Sequence, residues 1–294
     1  MTDRIDAHQH VWDLDVRPQG WTEDLPVLNR TFTSEELTPQ LAAAGVDGTV
    51  LVETINVGPE TSELLALGET HPHVRGVVGW VDLSARDVVD RIAELRESPG
   101  GERLVGVRHQ VQGEPDARWL TRPAVLNGLR AVAEAGLVFD LLVLPHQLEA
   151  AIESVRRIPD GRFVLDHLGK PSIASAAMEP WASSVGELAA GENVACKLSG
   201  LVTEAAPNWK LEDLEPYVQH ALSVFGPERI MAGSDWPVCL LRGEYAEVWD
   251  TNERLVAGLS VRERDQVLGG TATDWYRLAG MPRLAPDRAE RRED

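Results

Sequence analysis

The sequence predicts a single α/β domain, a closed (β/α)8 barrel of the TIM type. Three observations carry that expectation. Eight short β-branched and apolar runs alternate with helical stretches along the chain, with starts roughly 25–45 residues apart, the length of one strand–helix unit. No linker-like shift in composition interrupts them. An open doubly wound sheet would need a glycine-rich phosphate turn after its first strand, and the residues after Ile5 contain none.

In order, the strands are expected at Ile5–His10, Gly48–Thr54, Val74–Leu83, Leu104–Gln112, Val138–Leu144, Arg162–His167, Val194–Ser199 and Arg229–Asp235. Between the first two, Thr33 and Glu36 have capping-box spacing ahead of Leu37 and Leu41, and Gly45 suits the helix end. Pro123 opens a helix whose Leu126, Leu129, Val132 and Ala133 form one stripe, closed by Gly136. Glu212–Phe225 and Glu244–Leu259 repeat the pattern, with a shorter helix at Val261–Leu268. The barrel is expected over residues 1–280, followed by a charged tail, 281–294, in which Pro286–Asp294 should fray.

A length of 294 residues suits one large barrel, and a chain this size buries roughly 75% of its unfolded surface. Lys and Arg number 28 against 47 Asp and Glu, giving a net charge of −19. That excess opposes contact with polyanions, so neither nucleic acid nor an anionic membrane is an expected partner. Lysine occurs only as Lys170, Lys197 and Lys210. Composition bias accounts for that, yet two of the three fall at strand ends. Cys196 and Cys239 cannot build a disulfide framework, no signal peptide or 18-residue apolar run is visible, and a cytoplasmic protein with free thiols is expected.

Barrels of this class place their chemistry at the C-terminal strand ends. The first strand ends Asp6-Ala7-His8-Gln9-His10, where alternation puts His8 and His10 on one face together with Asp6. The sixth ends in Asp166-His167, followed by Lys170, and the eighth in Ser234-Asp235-Trp236. A carboxylate after an apolar strand is costly unless a cation, a metal, a working water or a helix N-terminus compensates it. Glu53, Arg108 with His109, His146, and Lys197 with Ser199 stand at the remaining ends. So many chargeable groups converging on one rim indicate a reaction centre. Neighbours on a strand face opposite ways, so only one of Arg108 and His109 can point fully inward.

HxH on strand one, His on strand six and Asp on strand eight resemble the amidohydrolase superfamily. IDAHQHVWDL, GVDGTVLVE, VRGVVGWVDL, LVGVRHQVQ, FVLDHLGKP, NVACKLSGL and MAGSDWPVC, in that order, resemble its sugar-lactonase branch over about residues 4–278. That branch includes L-fuconolactonase and L-rhamnonolactonase types. The resemblance implies that His8, His10, His167 and Asp235 form the reaction centre and the ligand set of one divalent metal, zinc before others. Relatives in the branch are known both with one metal and with none. Two-metal members of the superfamily carry a bridging lysine carbamate or glutamate on strand four. This chain has Arg108 and His109 there, which argues against a binuclear site. Glu53 stands where Gln is common in the branch, so an added acid is expected to contact sugar hydroxyls or to change metal binding.

Lactone hydrolysis needs an activated water, a stabilised carbonyl oxyanion and a proton for the departing alkoxide. Asp235 is the expected base, and it can return that proton to the ring oxygen. The three histidines would hold zinc, or the water and carbonyl directly. Arg108, His109, His146, Glu53 and Lys197 are candidate contacts for polar groups of the lactone, and Trp12 and Trp236 for its flat face. Trp80 reads as core. Residues Asp13–Thr33 form the longest connection, with Trp21 and Arg30, and suit a lid or a subunit contact, leaving room for a homodimer. Cys239 follows Pro237 near the site, but nothing marks it as an activated thiol; Cys196 should face the helix layer. Decarboxylation of an aromatic acid, dicarboxylate lactone hydrolysis and a non-catalytic binding barrel are the rival functions. Arg108, Lys170 and Lys197 would form a local positive field within an acidic shell.

Overall fold

The computed structural model describes residues 2–279, so the expected tail lies outside the described residues. Its eight strands are β1 (Ile5–Gln9), β2 (Gly48–Val52), β3 (Val74–Gly79), β4 (Leu104–His109), β5 (Val138–Leu141), β6 (Arg162–Leu165), β7 (Val194–Leu198) and β8 (Ile230–Ala232). They form one parallel sheet in sequential order, the (β/α)8 arrangement. Between them run α1 (Ser34–Ala44), α2 (Gly58–Thr70), α3 (Val88–Glu97), α4 (Pro123–Glu134), α5 (Leu148–Arg157), α6 (Trp181–Ala189), the one-turn α7 (Leu201–Glu204), α8 (Leu211–Phe225) and α9 (Tyr245–Leu255). After α9 come α10 (Val261–Asp265), a π turn and α11 (Thr271–Trp275). Among the described residues, no helix is long and apolar enough to cross a membrane.

Two apolar layers result. Ile5, Ala7, Val50, Val52, Val78, Val138, Val164, Ala195 and Met231 fill the barrel interior, with Tyr276 and Leu278 packed against them. A larger layer lies between sheet and helices and takes in Cys196 as expected. Each strand stops short of its expected C-terminal end. There the alternation continues in the sequence, but the chain has left the ladder and turned into the rim, carrying the polar groups with it.

β8 is only three residues long, and the segment that follows it closes the barrel against β1. The Asp235 N–H donates to the His8 carbonyl at 2.8 Å, and the His10 N–H to the Trp236 carbonyl at 2.7 Å. One step earlier on both segments, the Ser234 N–H donates to Asp6 Oδ1 at 2.8 Å. A side chain thus supplies one acceptor of the closing seam, and the seam sets Asp235 beside both histidines of β1.

Helix boundaries follow local chemistry, with one correction. α1 begins after Thr33 and ends at Gly45 in the left-handed region, φ +66°. Glu36 does not close a capping box with Thr33; it pairs with Arg30 at 2.5 Å. Pro123 starts α4, whose Leu126, Leu129 and Val132 are buried.

A Cβ on Gly128, inside α4, would lie 2.1 Å from the Leu83 carbonyl oxygen. Helix propensity alone favours Ala over Gly by about 1 kcal/mol. Backbone cannot yield as a side chain can, so Gly128→Ala should instead destabilise by about 1–3 kcal/mol. A lowered denaturant midpoint with unchanged slope is the expected reading; a raised midpoint would show that helix propensity decides.

Candidate active site

The site begins with an irregularity in β1. Asp6 pairs with Thr49 but Gln9 with Leu51, so β1 carries one extra residue against β2. Such a bulge re-aims a side chain. Ala7 packs in the interior, Gln9 bonds outward to Thr49 Oγ1, and both His8 and His10 reach the mouth. Asp6, expected on their face, is turned to the helix layer, accepting from Ser234 and reaching Tyr245; burial raises its pKa to about 6. The bulge breaks the strict alternation that predicted otherwise.

His8 Nε2 and His10 Nε2 are 3.1 Å apart. His10 Nδ1 lies 2.8 Å from the Val52 carbonyl, which can only accept, so the neutral ring carries its proton there and leaves Nε2 as a lone pair. That lone pair faces Asp235 Oδ1 at 3.4 Å, and His8 Nε2 faces the same oxygen at 3.7 Å. His167 stands opposite, its ring 4.5 Å from that of His8 and its Nδ1 2.9 Å from Ser199 Oγ. His167 and Asp235 both have positive φ, at 54° and 59°. Gly200 packs beneath His167, where a Cβ would lie 2.5 Å from Nδ1.

One donor atom each from His8, His167 and Asp235 lie within 4.8 Å of one another, and all three residues are buried. Nitrogen and carboxylate lone pairs facing one another suit a cation, and this donor set is that of a divalent metal site. The charge balance agrees. Arg108 and Lys197 pair with three buried carboxylates, Glu53, Asp140 and Asp166, and a fourth, Asp235, stands against the histidines. With all four ionised, two negative charges stay uncompensated, which one divalent cation would neutralise.

Burial works against ionisation of Asp235, but the neighbouring His167, His8 and His10 outweigh it and hold the carboxyl below its ordinary range. Asp166 is likewise held far down despite burial, by Lys197, His8 and Arg108. Burial drives His8 well below its usual value and lowers His167 to about 4.

Arg108, not His109, points inward. Its Nε donates to Glu53 Oε1 at 2.7 Å, its guanidinium also to the Glu53 carbonyl, and Nη1 to Asp166 Oδ2 at 3.1 Å. His109 lies outside the mouth, stacked on Trp119 at 4.0 Å and bonded to Glu114 and Trp80. Trp80 itself is half-buried. Glu53 is buried against Arg108 rather than open to a ligand. Lys197 is also fully enclosed, 2.5 Å from Asp140 and 3.0 Å from Asp166. His146 is exposed on a turn and does not line the mouth. Trp236 and Trp12 are buried in an edge-to-face stack through Phe32, because the aromatic side chains follow the closing seam outward. Cys239 is buried, its thiol pushed well up by desolvation, and is no nucleophile.

The cleft above the site has a volume of about 310 Å³. His10, His167, Asp235 and Arg108 form its floor, and Thr54, Gln110, Gln112 and the Lys170–Glu204 pair supply polar walls. Leu25, Leu142, Val238 and Leu241 supply apolar ones, and Trp21 of the long connection stands at its edge. Asp140 and Asp166 were not assigned a role from the sequence, although a lone carboxylate inside the apolar run Val138–Leu144 is a legible signal.

The family model for Amidohydrolase matches residues 5–278. The chain belongs to the amidohydrolase family. It is 39% identical over 284 residues to an L-fucono-1,5-lactonase of Burkholderia ambifaria, covering 95% of this chain and 97% of that one. It is 38% identical over 290 residues to an L-fucono-1,5-lactonase of Burkholderia multivorans, covering 94% and 96%. A solved amidohydrolase from Burkholderia multivorans with bound zinc superposes with a TM-score of 0.89 at 37% identity, covering 94% of this chain and 99% of that one.

Acid sensitivity follows from the buried rings. Burial holds both His167 and His73 at about 4, whereas unfolded histidine takes its proton near 6.5. Between those values these two rings bind more protons unfolded than native, so their contribution to stability falls as pH drops through the window, while the buried Asp6 and Asp140 carboxyls, both raised to about 6, change stability in the opposite sense. In melts of chelator-treated protein from pH 7 to 4.5, His73→Gln should lose less stability with falling pH than the unaltered protein, and an unchanged slope in that variant would contradict the assignment.

Proposed function

We infer that this member of the amidohydrolase family hydrolyses a sugar-derived aldonolactone, of the L-fucono- or L-rhamnono- type, to the aldonate. Near-complete coverage by two L-fucono-1,5-lactonases at 38% and 39% identity carries the reading. The geometry of the site supports it. His8, His10, His167 and Asp235 would hold one divalent metal, zinc before others, which when bound supplies Lewis-acid polarisation of the lactone carbonyl.

Asp235 takes the proton of the attacking water. As the carbonyl carbon becomes tetrahedral, negative charge gathers on its oxygen, within reach of the histidine cluster. Collapse breaks the bond from that carbon to the ring oxygen, and Asp235 returns its proton to the leaving alkoxide. The field that keeps Asp235 ionised also makes its protonated form a ready donor. The carboxylic acid product ionises near neutrality, so each turnover releases one proton. Gln110, Gln112, Lys170 and Glu204 would contact ring hydroxyls, and Trp21 would cover a sugar face.

A pH-indicator assay over a panel of aldonolactones should show proton release with at least one of them. Silence on all would refute the lactonase reading, and proton uptake with CO2 release from an aromatic acid would replace it. Asp235→Asn should lower kcat by about 10²–10⁴-fold with the melting profile retained. Turnover that persists unchanged would remove Asp235 from its role. Chelation should reduce turnover and zinc should restore it, if metal assistance is the route; full activity of metal-free protein would assign the carbonyl to the histidines themselves.

A further inference from the structure

Tyr276 lies just past α11, in the segment packed against the barrel interior from the end opposite the cleft. Its ring is buried, 2% exposed. The hydroxyl is 2.8 Å from both oxygens of Asp140, on β5. Asp140 Oδ2 is 2.5 Å from Lys197 Nζ, on β7. The same ammonium is 3.0 Å from Asp166 Oδ1 and 3.1 Å from His8 Nδ1. The Tyr276 ring also faces Nζ, 5.5 Å from its centroid.

We propose that Tyr276 is a positioning residue for the reaction centre, acting through Asp140 and Lys197 on His8. The N–H bonds of the Lys197 ammonium are met by Asp140 and Asp166, and Asp166 Oδ1 also lies 3.4 Å from His8 Nδ1, which puts the proton of the neutral ring on that edge and leaves Nε2 as a lone pair. A lysine stem is flexible, so its head stays in place only where its partners are themselves fixed. Asp166 is held by Arg108, and Asp140 by the Tyr276 hydroxyl. No solvent reaches these side chains to stand in for a lost partner. The direction of the Lys197 head decides what the Nδ1 edge of His8 meets, and thereby where the Nε2 edge points among His10, His167 and Asp235. Second-layer partners of metal-binding histidines act in this way in general. The inference rests on the lactonase reading for its kinetic consequence, but not for its effect on the His8 ring.

Tyr217 is the matched control: it is buried in α8, and its hydroxyl has no hydrogen-bond partner among the described residues. Tyr276→Phe should lower kcat on the best aldonolactone about ten-fold with little change in KM, and weaken zinc binding about ten-fold in competition with a chromophoric chelator. In protein labelled with ¹⁵N-histidine, the ring signals of His8 should shift while those of the distant His220 hold. Tyr217→Phe should change none of these. Kinetics, zinc affinity and His8 signals that match the Tyr217→Phe control would overturn the proposal, and so would a fall in kcat with the His8 signals unmoved. Should Tyr276→Phe not fold, Asp140→Asn, which keeps an acceptor for the tyrosine but weakens the hold on Lys197, is read by the same three measurements. If the wild-type protein turns over no aldonolactone, the proposed function falls, while the zinc and histidine measurements still decide the role of Tyr276.

Discussion

Charge compensation inside a closed barrel is the constraint on which the site depends. Ionised groups removed from water are tolerated only when each finds a partner. Arg108 and Lys197 answer three of the four carboxylates, in a fixed order: Glu53 to Arg108, Arg108 to Asp166, Asp166 to Lys197, Lys197 to Asp140. Asp235 is left to the histidines. The uncompensated negative charge is therefore concentrated where a divalent cation and an attacking water would meet the substrate. The same arrangement keeps Asp235 ionised and the His8 and His167 imidazoles neutral, the states that a base and nitrogen ligands require.

Backbone geometry delivers these groups to one place. The bulge in β1 brings His8 and His10 to the mouth together, and the seam between β1 and the segment after β8 sets Asp235 against them. Asp6 serves the seam from the other face of the strand. Positive φ at His167 and Asp235 turns both side chains back over the mouth, at a cost of order 1–3 kcal/mol for each such residue. Gly200 leaves room for one of them. The rim is thus strained where it holds the reaction centre, and the ladder beneath it is regular.

The cleft divides the remaining work. Its floor is common to the chemistry, whereas its walls come from rim segments, including the long connection with Trp21. Polar walls on one side and Leu25, Leu142, Val238 and Leu241 on the other suit a ligand with both hydroxyl and apolar faces. The lysine and arginine set did not turn out to be one positive field over the pocket. Lys197 is enclosed below His8, and Lys170 is paired with Glu204 at the edge.

Much of this protein could be read in one dimension. Strand number, their order along the chain and the family motifs all depend on local pattern, and the four residues proposed for the reaction centre stood at or just past a strand end. What only the tertiary structure decided was facing and partnership. One extra residue in β1 separated Asp6 from His8 and His10, and strand register chose Arg108 over His109. Enclosure turned Lys197 and Glu53 from substrate contacts into supports, and left His146, Trp12 and Trp236 away from the cleft. Asp140, Asp166 and Tyr276 gained their meaning from partners far along the chain, Tyr276 from Asp140 136 positions away. Local propensity records whether a residue sits in a strand, but a side chain's partner depends on how strands far apart in the sequence are set side by side, and that is fixed only when the barrel closes.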